Sequence, residues 1–244
     1  MTDPTADPVR ICLFAKPPLP GDVKTRLAPF IGAEGAARLA EAFLLDTCDT
    51  LSAIADAELI LATTAPFPDT FPLPPGMPQW LQGQGDLGAR QESILARGLR
   101  DRHRVIAIGA DLPGLPRGYV EEAARLLHTH DAVLGPTRDG GYYLLGLTRH
   151  VPGLLDGLPW SVASTFAATR SRLESLGYDV AFLPEWWDVD DGEDLVVLEQ
   201  WLAGHPTRAP HTAEALAQWG TRAREQSLPR TEPHNNPRAD GGKP

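Results

Sequence analysis

The chain has 244 residues, of which 42% are hydrophobic, and a formal net charge of −10 at pH 7. This length and apolar content suffice for one sizeable buried core. The acidic balance argues against nucleic acid or an anionic membrane surface as the main partner, although a small phosphorylated ligand can bind in a locally basic pocket.

The sequence predicts a cytoplasmic protein that does not span a membrane. Residues 1–8 lack the apolar segment of a signal peptide, and no apolar run approaches the roughly 20 residues of a membrane span. Cys12 and Cys48 are expected to be small buried hydrophobic residues rather than a disulfide or part of a zinc site, since their spacing resembles no such site.

Both ends of the chain are predicted to be disordered. Residues 1–8 are short and polar, and residues 228–244 have almost no apolar side chains with which to offset the entropy cost of ordering. Residues 9–227 contain no linker long enough to divide them, so we expect them to form one domain.

Short apolar segments alternate with longer amphipathic ones, which indicates an α/β protein. Strands are predicted at 9–15, 57–63, 104–110, 131–135, 141–147 and 178–183. Helices are predicted at 33–55, 87–100, 117–128, 165–176, 191–203 and 212–225. The strands have the composition of strands buried on both faces, so we expect a largely parallel sheet covered by helices on both sides. The proline-rich residues 66–78 are expected to form an ordered surface loop.

The first predicted strand is followed by a cationic loop with the sequence KPPLPGDVKTRL. Its prolines restrict the backbone, and Gly21 can adopt a positive φ or let a ligand approach closely. Lys16, Lys24 and Arg26 carry charges that suit phosphate oxygens, at the edge of the sheet where α/β folds bind nucleotide phosphates. A solvated basic turn would explain this segment equally well.

A buried segment, VIAIGA, is followed directly by Asp111. A carboxylate there faces the crevice at the carboxyl edge of the sheet and can hold a hard cation such as Mg²⁺ or Mn²⁺ that bridges to a diphosphate. The alternative is that Asp111 shapes the turn or caps the next helix, from which it is rather distant for an N-cap.

Two later segments contain further candidates. Residues 135–147, GPTRDGGYYLLGL, have a tight Asp-Gly-Gly turn with room for a ligand, although an ordinary hairpin would share this pattern. In Pro159-Trp160-Ser161, the indole could pack in the core or stack on a sugar or base, and Ser161 or Ser164 could cap the following helix.

Acidic residues are concentrated at 188–195, DVDDGEDL. Asp190 or Asp191 would cap the next helix, but this does not explain Asp188 and Asp190 together. Because alternate residues of an extended segment share a face, both acids can point the same way, and one could complete a metal site with Asp111. The sequence contains neither a Gly-x-Ser-x-Gly elbow nor a Gly-x-Gly-x-x-Gly loop, so hydrolase and dinucleotide-binding functions receive little support.

Taken together and in this order, these motifs resemble the DUF2064 family of nucleotide-diphospho-sugar transferases with a GT-A-like fold, some members of which are labelled arsenosugar biosynthesis glycosyltransferases. The resemblance runs from about residue 10 to residue 203. It implies a Rossmann-like GT-A fold with a mostly parallel mixed sheet flanked by helices. The same superfamily includes guanylyltransferases with a similar first loop and a similar aspartate.

The resemblance also implies roles for individual residues. Lys16, Gly21, Lys24 and Arg26 would bind the nucleotide diphosphate, and Asp111 with Asp190 would hold Mg²⁺ or Mn²⁺. The acceptor or sugar side would comprise Gly140, Gly141, Tyr142, Trp160 and Ser161. Asp139 is the candidate catalytic base.

Two departures from the family pattern bear on the metal. The family often has Asp-Cys-Pro-Asp-Leu where this chain has Asp-Leu-Pro-Gly-Leu, so an acid is missing at Gly114. In the later motif, a Thr-Pro pair of related cytidylyltransferases is replaced by Asp191-Gly192, which adds a negative charge.

The expected function is metal-assisted transfer of a sugar from a nucleotide-diphospho-sugar donor to a small-molecule acceptor. One alternative is a guanylyltransferase-like nucleotidyltransferase, in which an NTP reacts with a phosphorylated acceptor and pyrophosphate is released. Another is a nucleotide-binding module without catalysis. No nucleic acid partner is expected.

Overall fold

The computed structural model describes residues 8–205 and 207–227. The segment 228–244 and all but the last residue of the segment 1–8, for which the sequence predicts disorder, lie outside the described residues. No helix among the described residues is long and apolar enough to cross a membrane.

The core of the fold is a seven-stranded mixed sheet flanked by helices. Its strands are β1 (Val9–Ala15), β2 (Ala57–Thr63), β3 (Gln79–Leu81), β4 (Val105–Gly109), β5 (Ala132–Pro136), β6 (Tyr142–Leu147) and β7 (Val180–Phe182). Their order in the sheet is β3-β2-β1-β4-β6-β5-β7. Only β6 runs antiparallel to its neighbours, so the expected mostly parallel mixed sheet is confirmed.

In the described part of the chain, six helices accompany the sheet. They are α1 (Ala28–Ser52), α2 (Leu87–Gly98), α3 (Arg117–Leu126), α4 (Thr165–Ser175), α5 (Gly192–Gly204) and α6 (Pro210–Ser227). One apolar layer joins a face of the sheet to α1 and α3, and a second joins the opposite face to α2 and α4. A third cluster lies among α1, α5 and α6. Cys12 and Cys48 are buried and unpaired, as expected.

The structure differs from the predicted elements in two places. Strand β3 was not predicted, because three residues directly after a proline-rich loop are too few to show a period. Helix α1 begins at Ala28 rather than near residue 33, and it includes a kink at Gly32, whose φ of 75° and ψ of 162° are not helical. The other helices and strands match their predicted positions to within about two residues, as helix ends generally do.

The topology brings the predicted motifs to one edge of the sheet. Because β1 and β4 are parallel neighbours, the cationic loop after β1 and Asp111 after β4 leave the sheet side by side. The antiparallel β6 begins at this same edge, so the turn between β5 and β6 also lies there. After β7 the chain returns to this edge, where the Trp186 backbone N–H donates a hydrogen bond to the Pro136 carbonyl. This contact places residues 188–190 beside the β5–β6 turn.

Candidate functional site

A cavity of about 740 Å³ opens at this edge of the sheet. The cationic loop forms one wall, the end of β4 the floor, and the β5–β6 turn with residues 160–162 and 188–190 the other walls. Most of the residues singled out in the sequence line it: Lys16, Lys24, Arg26, Asp111, Asp139, Gly141, Tyr142, Trp160, Ser161 and Asp190.

The two remaining candidates, Gly21 and Gly140, are not among the lining residues. Gly21 has φ of 90° and turns the loop toward Lys24. Gly140 has φ of 86°, and a side chain there would overlap the backbone of Ala163. Both glycines therefore determine the shape of loops that carry cavity residues.

Lys24 lies at the centre of the charged end of the cavity. Its Nζ is 2.8 Å from Asp111 Oδ2 and 2.8 Å from Asp190 Oδ1. The lysine side chain is only 6% exposed, whereas the two aspartate side chains are 48% and 44% exposed and face the open cavity. Burial opposes the charged form of Lys24, but the two carboxylates outweigh it and raise the lysine pKa.

Separate local features hold the three members of this cluster. Asp111 follows β4, where Thr47 donates a hydrogen bond to the carbonyl of the preceding Ala110. Asp190 precedes α5, whose capping box includes Asp194, and the Asp194 side chain also accepts the Asp190 backbone N–H at 2.8 Å. Lys24 has a backbone φ of 45°, the left-handed region that a residue with a side chain rarely adopts.

Asp111 and Asp190 fit the role of metal ligands. Their oxygens converge on one cation, the Lys24 ammonium, so the position between them can accept positive charge. The described residues contain no group of three or more His, Cys, Asp or Glu side chains arranged around a metal position. A divalent ion here would therefore complete its shell with phosphate oxygens and water, as Mg²⁺ commonly does when it bridges to a nucleotide.

Two more carboxylates face the same end of the cavity. Asp139 Oδ1 accepts hydrogen bonds from Thr137 Oγ1 at 2.5 Å and from the Gly141 backbone N–H at 3.0 Å. Asp188 is partly buried, and this burial, together with the nearby charges of Asp190 and Asp139, raises its pKa to about 6. One lysine thus neutralises only part of the negative charge collected here.

The opposite wall is aromatic. Tyr142 and Trp160 pack edge to face with their ring centroids 6.3 Å apart, and the Tyr142 hydroxyl donates to Gln91 at 2.6 Å. Ser161 has a φ of 59° and is exposed at the rim. Ser164 occupies the N-cap position of α4 but makes no capping hydrogen bond through its side chain. This wall presents flat apolar surface and hydroxyl groups, the usual surroundings of a sugar or base.

Sequence reasoning missed the lining residues that follow β3. Gln82, Leu87, Arg90 and Gln91 belong to a loop and the first turns of α2. The pattern Gly-Gln-Gly-Asp-Leu-Gly, with Asp86 as helix cap, could have indicated a loop open to a ligand. The sequence places Asp188 next to Asp190 on one face of an extended segment, but its proximity to Asp139 follows only from the fold.

Comparison with protein families and solved structures gives a consistent result. The family model DUF2064, described as an uncharacterized protein conserved in bacteria, matches residues 45–162. A crystal structure from Desulfovibrio desulfuricans G20, provisionally named a nucleotide-diphospho-sugar transferase, is 31% identical and has a TM-score of 0.80. That similarity covers 89% of this chain and 97% of the other. No curated protein matches the chain.

More distant structures share the fold alone. The CMP:2-keto-3-deoxy-manno-octonic acid synthetase complexed with CTP has a TM-score of 0.55 at 12% identity, over 81% of this chain and 99% of the other. The 4-diphosphocytidyl-2C-methyl-D-erythritol synthase from Anaerococcus prevotii DSM 20548 has a TM-score of 0.53 at 12% identity, over 81% and 97% of the two chains. These similarities confirm the expected Rossmann-like GT-A fold.

Proposed function

This chain belongs to the DUF2064 family of nucleotide-diphospho-sugar transferases, and from that premise we propose that it is a glycosyltransferase that uses a nucleotide-diphospho-sugar donor. The observation that carries the proposal is the convergence of Lys24, Asp111 and Asp190 in a cavity that Lys16 and Arg26 also line. A bound diphosphate needs cationic side chains around its oxygens. It also commonly binds with a divalent ion, which a pair of carboxylates can hold.

In this function, the donor diphosphate lies against Lys16, Lys24 and Arg26. These side chains stabilise the negative charge that grows on the diphosphate as its bond to the sugar breaks, an effect worth about 3 kcal/mol for a well-placed donor. Mg²⁺ or Mn²⁺, held by Asp111 and Asp190, would supply further positive charge to the leaving group when bound. The sugar then points toward Tyr142 and Trp160.

The acceptor supplies the attacking hydroxyl. Its oxygen forms a bond to the anomeric carbon, the bond from that carbon to the diphosphate breaks, and the nucleoside diphosphate leaves. If the configuration inverts, a carboxylate must take the hydroxyl proton. We assign this role to Asp139, whose Oδ1 is held by Thr137 and Gly141 while Oδ2 is left for the proton.

Thermal unfolding in the presence of candidate donors tests the proposal. A ligand at about 100 times its dissociation constant stabilises the folded protein by roughly 2.7 kcal/mol, which corresponds to a shift of several degrees. We expect a metal-dependent shift with one nucleotide-sugar, followed by release of the nucleoside diphosphate when the acceptor is found. Asp111→Ala should abolish turnover while the protein remains folded, because the Asp111 side chain is half exposed.

Other outcomes would replace the proposal. A shift with free NTPs, and pyrophosphate release with a phosphorylated acceptor, would indicate a nucleotidyltransferase. Binding of a nucleotide-sugar with no turnover of any donor would indicate a binding module. If no nucleotide shifts the unfolding temperature, the assignment of the cationic loop to a diphosphate is wrong.

A further inference from the structure

Lys24 occupies the position that a metal ion would need. Each of the two carboxylates uses one oxygen to contact Nζ at 2.8 Å, so a divalent ion cannot take both oxygens while the ammonium stays between them. Yet the proposed function requires Lys24 to contact phosphate and the two aspartates to contact metal. A metal ion between these two oxygens and Lys24 in its present position exclude each other, so binding of metal there requires Nζ to move.

We propose that Lys24 is the resident counter-ion of the metal site, and that it exchanges with a divalent cation when the diphosphate binds. In the free protein its ammonium group holds Asp111 and Asp190 together. When metal and diphosphate enter, the cation takes the place between the carboxylates and Nζ moves to a phosphate oxygen. This inference rests on the proposed function.

The charge of the cavity favours the exchange only when metal and diphosphate arrive together. Asp139 and Asp188 add to the two paired aspartates, so the ammonium leaves part of the negative charge unbalanced. A diphosphate alone would meet Lys16 and Arg26, but Lys24 would still contact two carboxylates and the negative charge of the aspartates would oppose binding. A metal ion alone would have to separate Lys24 from both of the carboxylates that it contacts at 2.8 Å, with no phosphate to take their place, and the loss of partners for a buried ammonium is costly.

The backbone of Lys24 is consistent with a residue that moves. Its φ of 45° is a left-handed conformation that is unfavourable for a residue with a side chain. Gly21, three residues earlier, also has a positive φ, and the loop between them is exposed at Gly21 and Asp22. Release of Nζ from the carboxylates allows this segment to relax. The nearby Phe43 ring, 5.9 Å from Nζ, belongs to the buried core and is expected to stay in place.

Direct measurement of Mn²⁺ binding, by the loss of the free-ion EPR signal, tests the exchange without any turnover. Wild-type protein should bind Mn²⁺ weakly alone and at least about tenfold more tightly with a nucleoside diphosphate, measured against the Mn²⁺ that the same nucleotide binds without protein; this gain lies within the range of about 5- to 150-fold typical of coupled ligands. Lys24→Met should bind Mn²⁺ alone at least about tenfold more tightly than wild type, and lose most of the gain from the nucleotide.

Two controls make this result specific. Lys16→Met removes a cation that lines the same cavity and has no ion pair among the described side chains, so it should leave Mn²⁺ binding without nucleotide unchanged. The double variant Lys24→Met/Asp111→Asn should lose the tight Mn²⁺ binding, which shows that the gain comes from the carboxylate pair. Circular dichroism verifies that each variant is folded. If Lys24→Met fails to fold, Lys24→Gln, which keeps a polar end, takes its place.

The outcomes separate this inference from the proposed function. Equal Mn²⁺ affinity of folded Lys24→Met and wild type in the absence of nucleotide would overturn the exchange, even if nucleotide-sugars bind. Tighter Mn²⁺ binding by Lys24→Met would support the competition between lysine and metal. If no nucleoside diphosphate then strengthens Mn²⁺ binding to wild type, the proposed function fails and the coupling to diphosphate fails with it.

Discussion

In the proposed function, one carboxylate of the site removes the acceptor proton, and Asp139 and Asp188 are the two that can be compared. Asp139→Asn keeps the hydrogen bonds from Thr137 and Gly141 within reach of the amide oxygen but cannot accept a proton. We expect kcat to fall by about 100- to 10,000-fold, the usual contribution of a general base, while donor affinity stays close to that of wild type. Steady-state kinetics together with donor titration by calorimetry would check both quantities.

Asp188→Asn provides the comparison for this prediction. Asp188 faces the same end of the cavity, and its charge interacts with that of Asp139. A larger loss of kcat in Asp188→Asn than in Asp139→Asn would assign the base to Asp188 instead. Comparable donor affinity in both variants is required for either conclusion, because a weaker donor complex would lower turnover without removing a base.

The acid missing from the family pattern has a steric explanation at Gly114. This glycine has φ of 70°, and a Cβ atom at its position would overlap the Trp201 ring of α5. Gly114→Asp should therefore destabilise the fold by about 2 to 4 kcal/mol through strained backbone and overpacking, rather than provide a third metal ligand. Urea unfolding measures the loss.

Gly118→Asp is a suitable control for that measurement. Gly118 lies in the first turn of α3, a Cβ built there has no atom within 4 Å apart from its chain neighbours and the backbone of its own helix, and an acid near a helix N-terminus is favourable. The free energy of unfolding of the Gly118→Asp variant should equal or slightly exceed that of wild type. If Gly114→Asp is as stable as Gly118→Asp, the packing of Trp201 does not explain the missing acid.

At the scale of elements, Glu92 joins α2 to the segment that follows β6. Its carboxylate accepts the backbone N–H groups of Gly153 at 2.6 Å and Leu155 at 2.9 Å, and contacts His150 Nε2 at 3.0 Å. Burial opposes the ionised form, but these donors outweigh it and hold the pKa of Glu92 below its usual 4.5. Glu92→Gln removes the charge and should cost about 1 to 2 kcal/mol at neutral pH.

The sign of this pKa shift also predicts the pH dependence. Because the pKa is lower in the folded state, the ionised carboxylate stabilises the fold above 4.5, and this contribution disappears as the pH falls through the folded pKa. The difference in unfolding free energy between wild type and Glu92→Gln should therefore shrink in acid. Glu122→Gln, in an exposed pair with Arg125, should leave the unfolding midpoint unchanged. A difference that grows in acid would contradict the assignment.

Periodicity and proline placement predicted most elements, because buried strands and amphipathic helices have local patterns. The exceptions, β3 and the start of α1, depend on pairing with β2 and on a non-helical Gly32, neither of which has a local signature. For the site, the motifs predicted which residues gather at the sheet edge. That Lys24 stands between Asp111 and Asp190 could not be predicted, since these side chains come from three distant segments whose orientation follows from packing.

For the whole molecule, a buried carboxylate adds polar contacts to the apolar packing that holds α6 against the body of the fold. Asp46, on α1, accepts the backbone N–H groups of His211 and Thr212 at 2.9 Å each and the Thr212 hydroxyl at 2.6 Å. It therefore serves as an N-terminal cap for α6 that is supplied by another helix. The same helix α1 contributes Phe43, beside Lys24, to the cluster shared with α5 and α6.

Removal of this cap should weaken the attachment of α6. Asp46→Ala leaves the buried donors of Thr212 without a partner, and we expect a loss of about 2 to 4 kcal/mol in the free energy of unfolding. Asp49→Ala is the matched control, because Asp49 is exposed on α1 and its carboxylate contacts the His211 ring of α6 at 3.1 Å. A surface pair of this kind contributes little, so the control should unfold close to wild type. Protection of α6 amides from hydrogen exchange should fall in Asp46→Ala and persist in Asp49→Ala. Equal effects of the two substitutions would show that surface charge, rather than the buried cap, attaches α6.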